Sequence, residues 1–123
     1  MNQGFFDLLP DERKQYVNRL LENHEELIPV ILRFGPECSF SHRISNTKLL
    51  IPKHQRVSAF LANFRKQHKL VADSSISLSY DDLLLKTTMS FEELYHRYRS
   101  EDMILYLKMH EMAPFGLLAS PLL

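Results

Sequence analysis

The sequence predicts an α+β fold, a single domain of short strands and helices, and three observations carry that reading. The apolar period changes along the chain. Ile76-Ser77-Leu78-Ser79-Tyr80 alternates as a half-buried strand does, whereas Val57, Phe60, Leu61 and Phe64 recur at i, i+3, i+4 and i+7, one face of a helix. Two short apolar runs, Leu27-Ile28-Pro29-Val30-Ile31-Leu32 and Lys48-Leu49-Leu50-Ile51, are each closed by a breaker, Gly35-Pro36 and Pro52 respectively. Lastly, 123 residues with no repeat and no dividing linker suit one core rather than two.

Taken in order, Pro10-Asp11-Glu12 opens a helix, with proline in the first turn and acids near the positive end of the dipole. Tyr16, Val17, Leu20 and Leu21 give it an apolar stripe. The run from Leu27 reads as a buried strand, with Pro29 near its start because proline cannot donate to a ladder. A polar loop reaches to about Thr47, and Lys48 to Ile51 form the second strand. The helix from Val57 follows, with Phe60 expected to be more buried than Phe64, and then the alternating strand at Ile76. A short strand is placed at Leu83–Leu85. Ser90 and Glu93 have capping-box spacing and start a helix through about Tyr98. Met103 to Met109 is the last strand, placed centrally because it is apolar on both faces. Two hairpin-like strands, a crossing helix, then further strands and a short helix make the β-grasp order, preceded by an additional N-terminal helix.

Composition narrows the function classes. Net charge is zero, which removes the usual electrostatic case for a nucleic-acid binder. Cys38 is the only cysteine, so neither an intramolecular disulfide nor a cysteine-rich zinc site is available. The N-terminus shows no secretory pattern and no apolar run approaches the roughly 20 residues of a membrane span, so the chain reads as cytoplasmic. His24, His42, His54, His68, His96 and His110 include no i, i+4 pair within one helix, and no metal site is read from them. Cys38 is read as a loop thiol. Arg65, Lys66, His68 and Lys69 fall at a helix C-terminus, where cations favour the dipole. Glu92-Glu93 and Glu101-Asp102 are read as solvated faces. No catalytic residue and no cofactor site emerge, and the chain is not expected to be an enzyme.

Lys48-Leu49-Leu50-Ile51-Pro52, followed by Val57, Phe60 and Arg65-Lys66, resembles the signature of the autophagy ubiquitin-like modifiers, the GABARAP and microtubule-associated light-chain-three family. Ile28-Pro29-Val30-Ile31, Leu94-Tyr95, Glu101-Asp102 and Leu105-Tyr106 match further family elements, and Phe115-Gly116 falls at the family's processing position. The resemblance implies a ubiquitin-like β-grasp divided into an N-terminal helical extension (1–26), a core (27–110) and a flexible C-terminal tail (111–123). It departs from the family at Leu49, usually aromatic, at Gln55, often leucine, at Leu27 and Gln67, usually arginine, and through Ser39–Arg43.

By resemblance, a cysteine protease cuts between Gly116 and Leu117. Activating and conjugating enzymes of the autophagy system then carry the Gly116 acyl group as thioesters to the amine of phosphatidylethanolamine, giving a lipidated pool on autophagosomal membranes. The residues suit that chemistry: Pro114 keeps the tail extended, and Gly116 has no Cβ to hinder attack at its carbonyl. The family also binds adaptor and receptor peptides of aromatic-x-x-aliphatic type by strand addition. The aromatic pocket would be lined by Leu20, Pro29, Lys48, Leu50 and Ile104, and the aliphatic pocket by Leu49, Ile51, Pro52, Phe60 and Phe64. Two alternatives stay open: a protein-conjugated autophagy modifier, which the extension Leu117–Leu123 disfavours, and a β-grasp interaction domain that is never conjugated.

Overall fold

The computed structural model describes residues 8–44, 47–70 and 75–112. Its elements run α1 (Pro10–Asn23), β1 (Leu27–Phe34), a 3-10 turn (Ser41–Arg43), β2 (Lys48–Pro52), α2 (Val57–Gln67), β3 (Ser75–Tyr80), β4 (Leu83–Leu84), α3 (Phe91–Tyr98) and β5 (Leu105–Met112). The strands form one mixed sheet in the order β2-β1-β5-β3-β4. The first and last strands pair in parallel at its centre, Val30 opposite Leu105 and Phe34 opposite Met109. Antiparallel neighbours flank them, β2 on β1 and β3 on β5. This is the ubiquitin-like β-grasp with a helix added at its N-terminal side, as the sequence implies.

Each strand of the central pair has one face turned to the main core. Ile28, Val30 and Leu32 of β1 and Leu105, Leu107 and Met109 of β5 pack there with α2 and α3. Rings interlock beneath α2: Phe64 lies 5.9 Å from both Phe40 and Phe60, and Phe60 lies 5.4 Å from Phe91. The opposite face is thinner. There Val17 of α1 meets Ile31 and Ile104 in a separate small cluster, with Leu21, Met103 and Tyr106 half-buried around it.

Local chemistry fixes the helix ends. The Glu12 carboxylate accepts from the Leu9 N–H at 2.8 Å and closes the start of α1. The Val57 and Ser58 N–H groups at the start of α2 donate to the Met89 and Thr87 carbonyls, so the segment before α3 caps α2. Ser90 caps α3 as expected, its hydroxyl accepting from the Glu93 N–H. Pro29 is tolerated in β1 because it lies ahead of Val30, where pairing with β5 begins.

Several expectations need correction. β5 starts at Leu105, not Met103, because Met103 adopts a left-handed backbone (φ 67°) in a turn where its N–H donates to the Ser100 carbonyl. The strand then continues to Met112 opposite Ser75, past the expected core limit at 110. It is central, but only its core face is apolar, through Leu105, Leu107 and Met109: Tyr106 is half-buried and Lys108 exposed. β1 gains Arg33 and Phe34 through pairing with Lys108 and Met109. Phe64, at 5% exposure, is slightly more buried than Phe60 at 8%, because Phe34 and Phe40 reach Phe64. Asp102 is not on a solvated face: it is 5% exposed and accepts hydrogen bonds from Arg13, the Ile104 N–H and Tyr106.

Candidate functional site

β2 is an edge strand, and among the described residues no strand pairs with its outer side. An edge presents free backbone donors and acceptors that proteins ordinarily protect with charge or brevity. Here Lys48 supplies a charge, yet Leu50 is left 42% exposed. Because side chains alternate along a strand, Lys48 and Leu50 face α1 while Leu49 and Ile51 turn toward α2.

A cavity opens on each of those sides. The first, about 350 Å³, lies between α1 and the edge of the sheet. It brings together Leu20, Pro29, Lys48, Leu50 and Ile104, the residues implied for an aromatic pocket, and adds Leu8, Tyr16, Val17 and Ile31. The second, about 240 Å³, lies between β2 and α2. It gathers Leu49, Ile51, Pro52, Phe60 and Phe64, the residues implied for an aliphatic pocket, with Gln55, Asn63, Gln67 and His68 at its margin. Val17 could be found from the apolar stripe of α1. Leu8 carries no sequence signal, since only the fold brings it to the rim. Phe115, Gly116 and Leu117 lie outside the described residues.

The first cavity rests on a buried polar cluster. Asp102 Oδ2 accepts from the Tyr106 hydroxyl at 2.5 Å and from Arg13 Nε at 3.3 Å, and its Oδ1 accepts from the Ile104 N–H at 3.2 Å. Burial, helped by the bond and charge of Asp102, pushes the Tyr106 phenol up to about 12, so it stays a protonated donor. Tyr95 donates to the Met103 carbonyl at 2.8 Å, and burial raises its phenol as well.

Other groups with chemical potential are occupied structurally. Cys38 is a core residue rather than an open loop thiol: it is 4% exposed, its thiol donates to the Met109 carbonyl, and burial followed by the Glu37 charge pushes it up to about 11. His110 contacts Ser79 Oγ at 2.8 Å and Glu37 Oε1 at 3.0 Å, a relay that ties β5 to β3 and to the loop after β1. A backbone hydrogen bond, then the bond to His110, holds the Glu37 carboxyl below its ordinary value. A wider depression of about 500 Å³ between α1 and the end of α3 sets Lys14 and Arg99 against Asp11 and Glu101, with no single sign of charge. Among the described residues no group of three or more His, Cys, Asp or Glu side chains could hold a metal ion.

Comparison with known proteins agrees with this architecture. The family model described as autophagy protein Atg8, ubiquitin like, matches residues 12–116. The Atg8 of Dictyostelium discoideum is 29% identical over 107 residues, covering 86% of this chain and 87% of its own. That of Cochliobolus heterostrophus is 29% identical over 117 residues, covering 94% and 98%. In structure, Trypanosoma brucei ATG8 superposes with a TM-score of 0.74 at 23% identity, covering 94% of this chain and 100% of that one. Plasmodium falciparum Atg8, solved in complex with a Plasmodium falciparum Atg3 peptide, gives 0.71 at 19% identity, covering 89% and 95%. With a family match spanning α1 through the end of the sheet, this chain belongs to the Atg8 family of ubiquitin-like autophagy proteins.

Proposed function

We propose that this protein is an autophagy modifier that is conjugated through Gly116 to phosphatidylethanolamine and that receives adaptor and receptor peptides along β2. The observation that carries the peptide reading is the pair of cavities on opposite sides of an exposed edge strand. A ligand strand added to β2 places residues i and i+3 about 10 Å apart and on opposite faces. An aromatic at i therefore enters the cavity beside α1, and an aliphatic at i+3 enters the one beside α2. Lys48 at the rim attracts acidic residues flanking the motif. Leu49 and Gln55 reduce apolar area in the second cavity relative to an aromatic and a leucine. At about 25 cal/mol per Å², some tens of Å² weaken the aliphatic anchor by about 1 kcal/mol.

Conjugation follows from acyl chemistry. A cysteine protease cleaves the peptide bond after Gly116 and releases Leu117–Leu123. The new carboxylate is adenylated by ATP in the activating enzyme with loss of pyrophosphate, and a thiolate of that enzyme displaces AMP. A thiolate of the conjugating enzyme takes the acyl group by thioester exchange, and the lipid amine displaces that thiolate to form the amide. The thiolates belong to the partners, so this chain contributes the acyl group and not the catalysis. The family match running through Gly116 and the Atg3 peptide seen on a related fold support this reading. No described helix is long and apolar enough to cross a membrane. In this reading the covalent lipid holds the autophagosomal pool and the unconjugated remainder is cytoplasmic.

Two measurements test the reading. Gly116→Ala is expected to block processing and lipidation while the fold stays intact; mass spectrometry showing a normal lipidated species in that variant would remove conjugation from the account. Calorimetric titration with an acidic-flanked aromatic-x-x-aliphatic peptide is expected to show binding that Lys48→Glu weakens several-fold, the deficit shrinking as salt rises. Equal binding by wild type and Lys48→Glu would sink the charge assignment, and no binding at all would sink the groove.

A further inference from the structure

The two cavities differ in what holds them open, and the difference converges on one carboxylate. α1 forms a wall of the first cavity through Val17 and Leu20, Ile104 lies against Val17 in its lining, and Leu8 closes its rim. α1 is attached to the sheet by a small apolar cluster separate from the main core. Such a cluster is non-directional, and it leaves the helix free to slide by fractions of an ångström unless a directional contact fixes it. Asp102 supplies such a contact. Its Oδ1 accepts from the backbone N–H of Ile104, and its Oδ2 accepts from Arg13 of α1. Arg13 in turn donates through Nη1 to the Leu8 carbonyl at 2.8 Å. The Tyr106 hydroxyl braces the same Oδ2 from β5.

We propose, resting on the reading of this groove as a peptide site, that Asp102 is a positioning residue for aromatic recognition. One buried carboxylate sets the Ile104 lining, the α1 wall and, through Arg13, the Leu8 rim of the first cavity. It touches no ligand. Its effect falls on the aromatic anchor because the second cavity, which shares only Leu49 and Leu50 of β2 with the first, is walled by α2, and α2 packs on the main core without any member of this cluster. An aromatic ring gains from a slot of fixed width, since dispersion falls off over a gap of half an ångström to one ångström.

The test is calorimetry on the full chain with three peptides: an acidic-flanked aromatic-x-x-leucine, the same with alanine for the aromatic, and the same with alanine for the leucine. Wild type is expected to lose about tenfold in affinity when the aromatic is removed, given the area such a ring buries. In Asp102→Asn and Arg13→Gln that aromatic ratio is expected to fall several-fold while the leucine ratio stays unchanged. Arg13→Lys, which keeps the charge but cannot span both Asp102 and the Leu8 carbonyl, restores part of it. Tyr106→Phe, which loses only a brace, gives a milder change in the same direction and guards against a variant that fails to fold. An unmoved aromatic ratio in folded variants overturns the proposal, as does an equal fall in both ratios, which a merely structural role would produce. A wild-type aromatic ratio near one overturns the groove reading itself, and this inference with it.

Discussion

The α2 side and the α1 side of β2 are built on opposite plans. Beneath α2, Phe34, Phe40, Phe60, Phe64 and Phe91 interlock inside the one large core, and the walls of the second cavity are the surface of that core. Beneath α1, three buried apolar residues and one buried carboxylate suffice. The lesson is that the two halves of one groove carry different liabilities. Ile51, Phe60 and Phe64, which line the second cavity, cannot be altered without taxing the whole fold. The first cavity is walled by a helix that is attached outside that core.

The largest expected break of that contrast is Phe64→Ala. Truncating a fully enclosed phenylalanine costs about 3–5 kcal/mol, and a denaturant melt losing under 1 kcal/mol would mean the ring is not part of the cooperative core. Phe60→Ala is expected to follow closely. Asp102→Asn comes next, at about 1–3 kcal/mol, because Arg13 and the Tyr106 hydroxyl lose a charged acceptor away from water. The two classes separate through Cys38. Buried against β5, its thiol is expected to alkylate faster in Phe64→Ala and at the wild-type rate in Asp102→Asn, read by mass spectrometry under native conditions. Acceleration by Asp102→Asn would show that α1 and the core open together.

The smallest effect is the pH response of Glu37. Its carboxyl is lowered from 4.5 by hydrogen bonds, so its contribution is present above that value and is lost as pH falls through the lowered one. Because the side chain is 42% exposed, the contribution is about 0.5 kcal/mol or less. Glu37→Gln should flatten the acid side of the stability curve below about pH 4.5 and leave the neutral value within that margin. An unchanged acid slope in chemical melts would contradict it.

The order of elements was legible because each has its own local signal: a period at Val57 to Phe64, alternation at Ile76, a capping box at Ser90. Membership of the two cavities was legible through resemblance, since alternation along β2 assigns faces once the strand is placed. What local patterns missed depends on distant partners. Asp102 is drawn inward by Arg13, 89 positions away, and next to Glu101 it looks like any solvated acid. The start of β5 depends on the turn that this buried carboxylate accompanies. Two rings one helical turn apart cannot be ranked by period, because the segment carrying Phe40 decides which is better covered.

The parallel pairing of β1 with β5 has a further meaning for how the chain matures. The strand made first waits for the strand made last, so the centre of the sheet closes across the longest loop in the fold. A chain cut short before Leu105 lacks the strand that joins the β1–β2 pair to the β3–β4 pair. Synthesis therefore delivers the keystone and the proposed reactive end together. Every chain long enough to carry Gly116 already carries the strand that completes the domain.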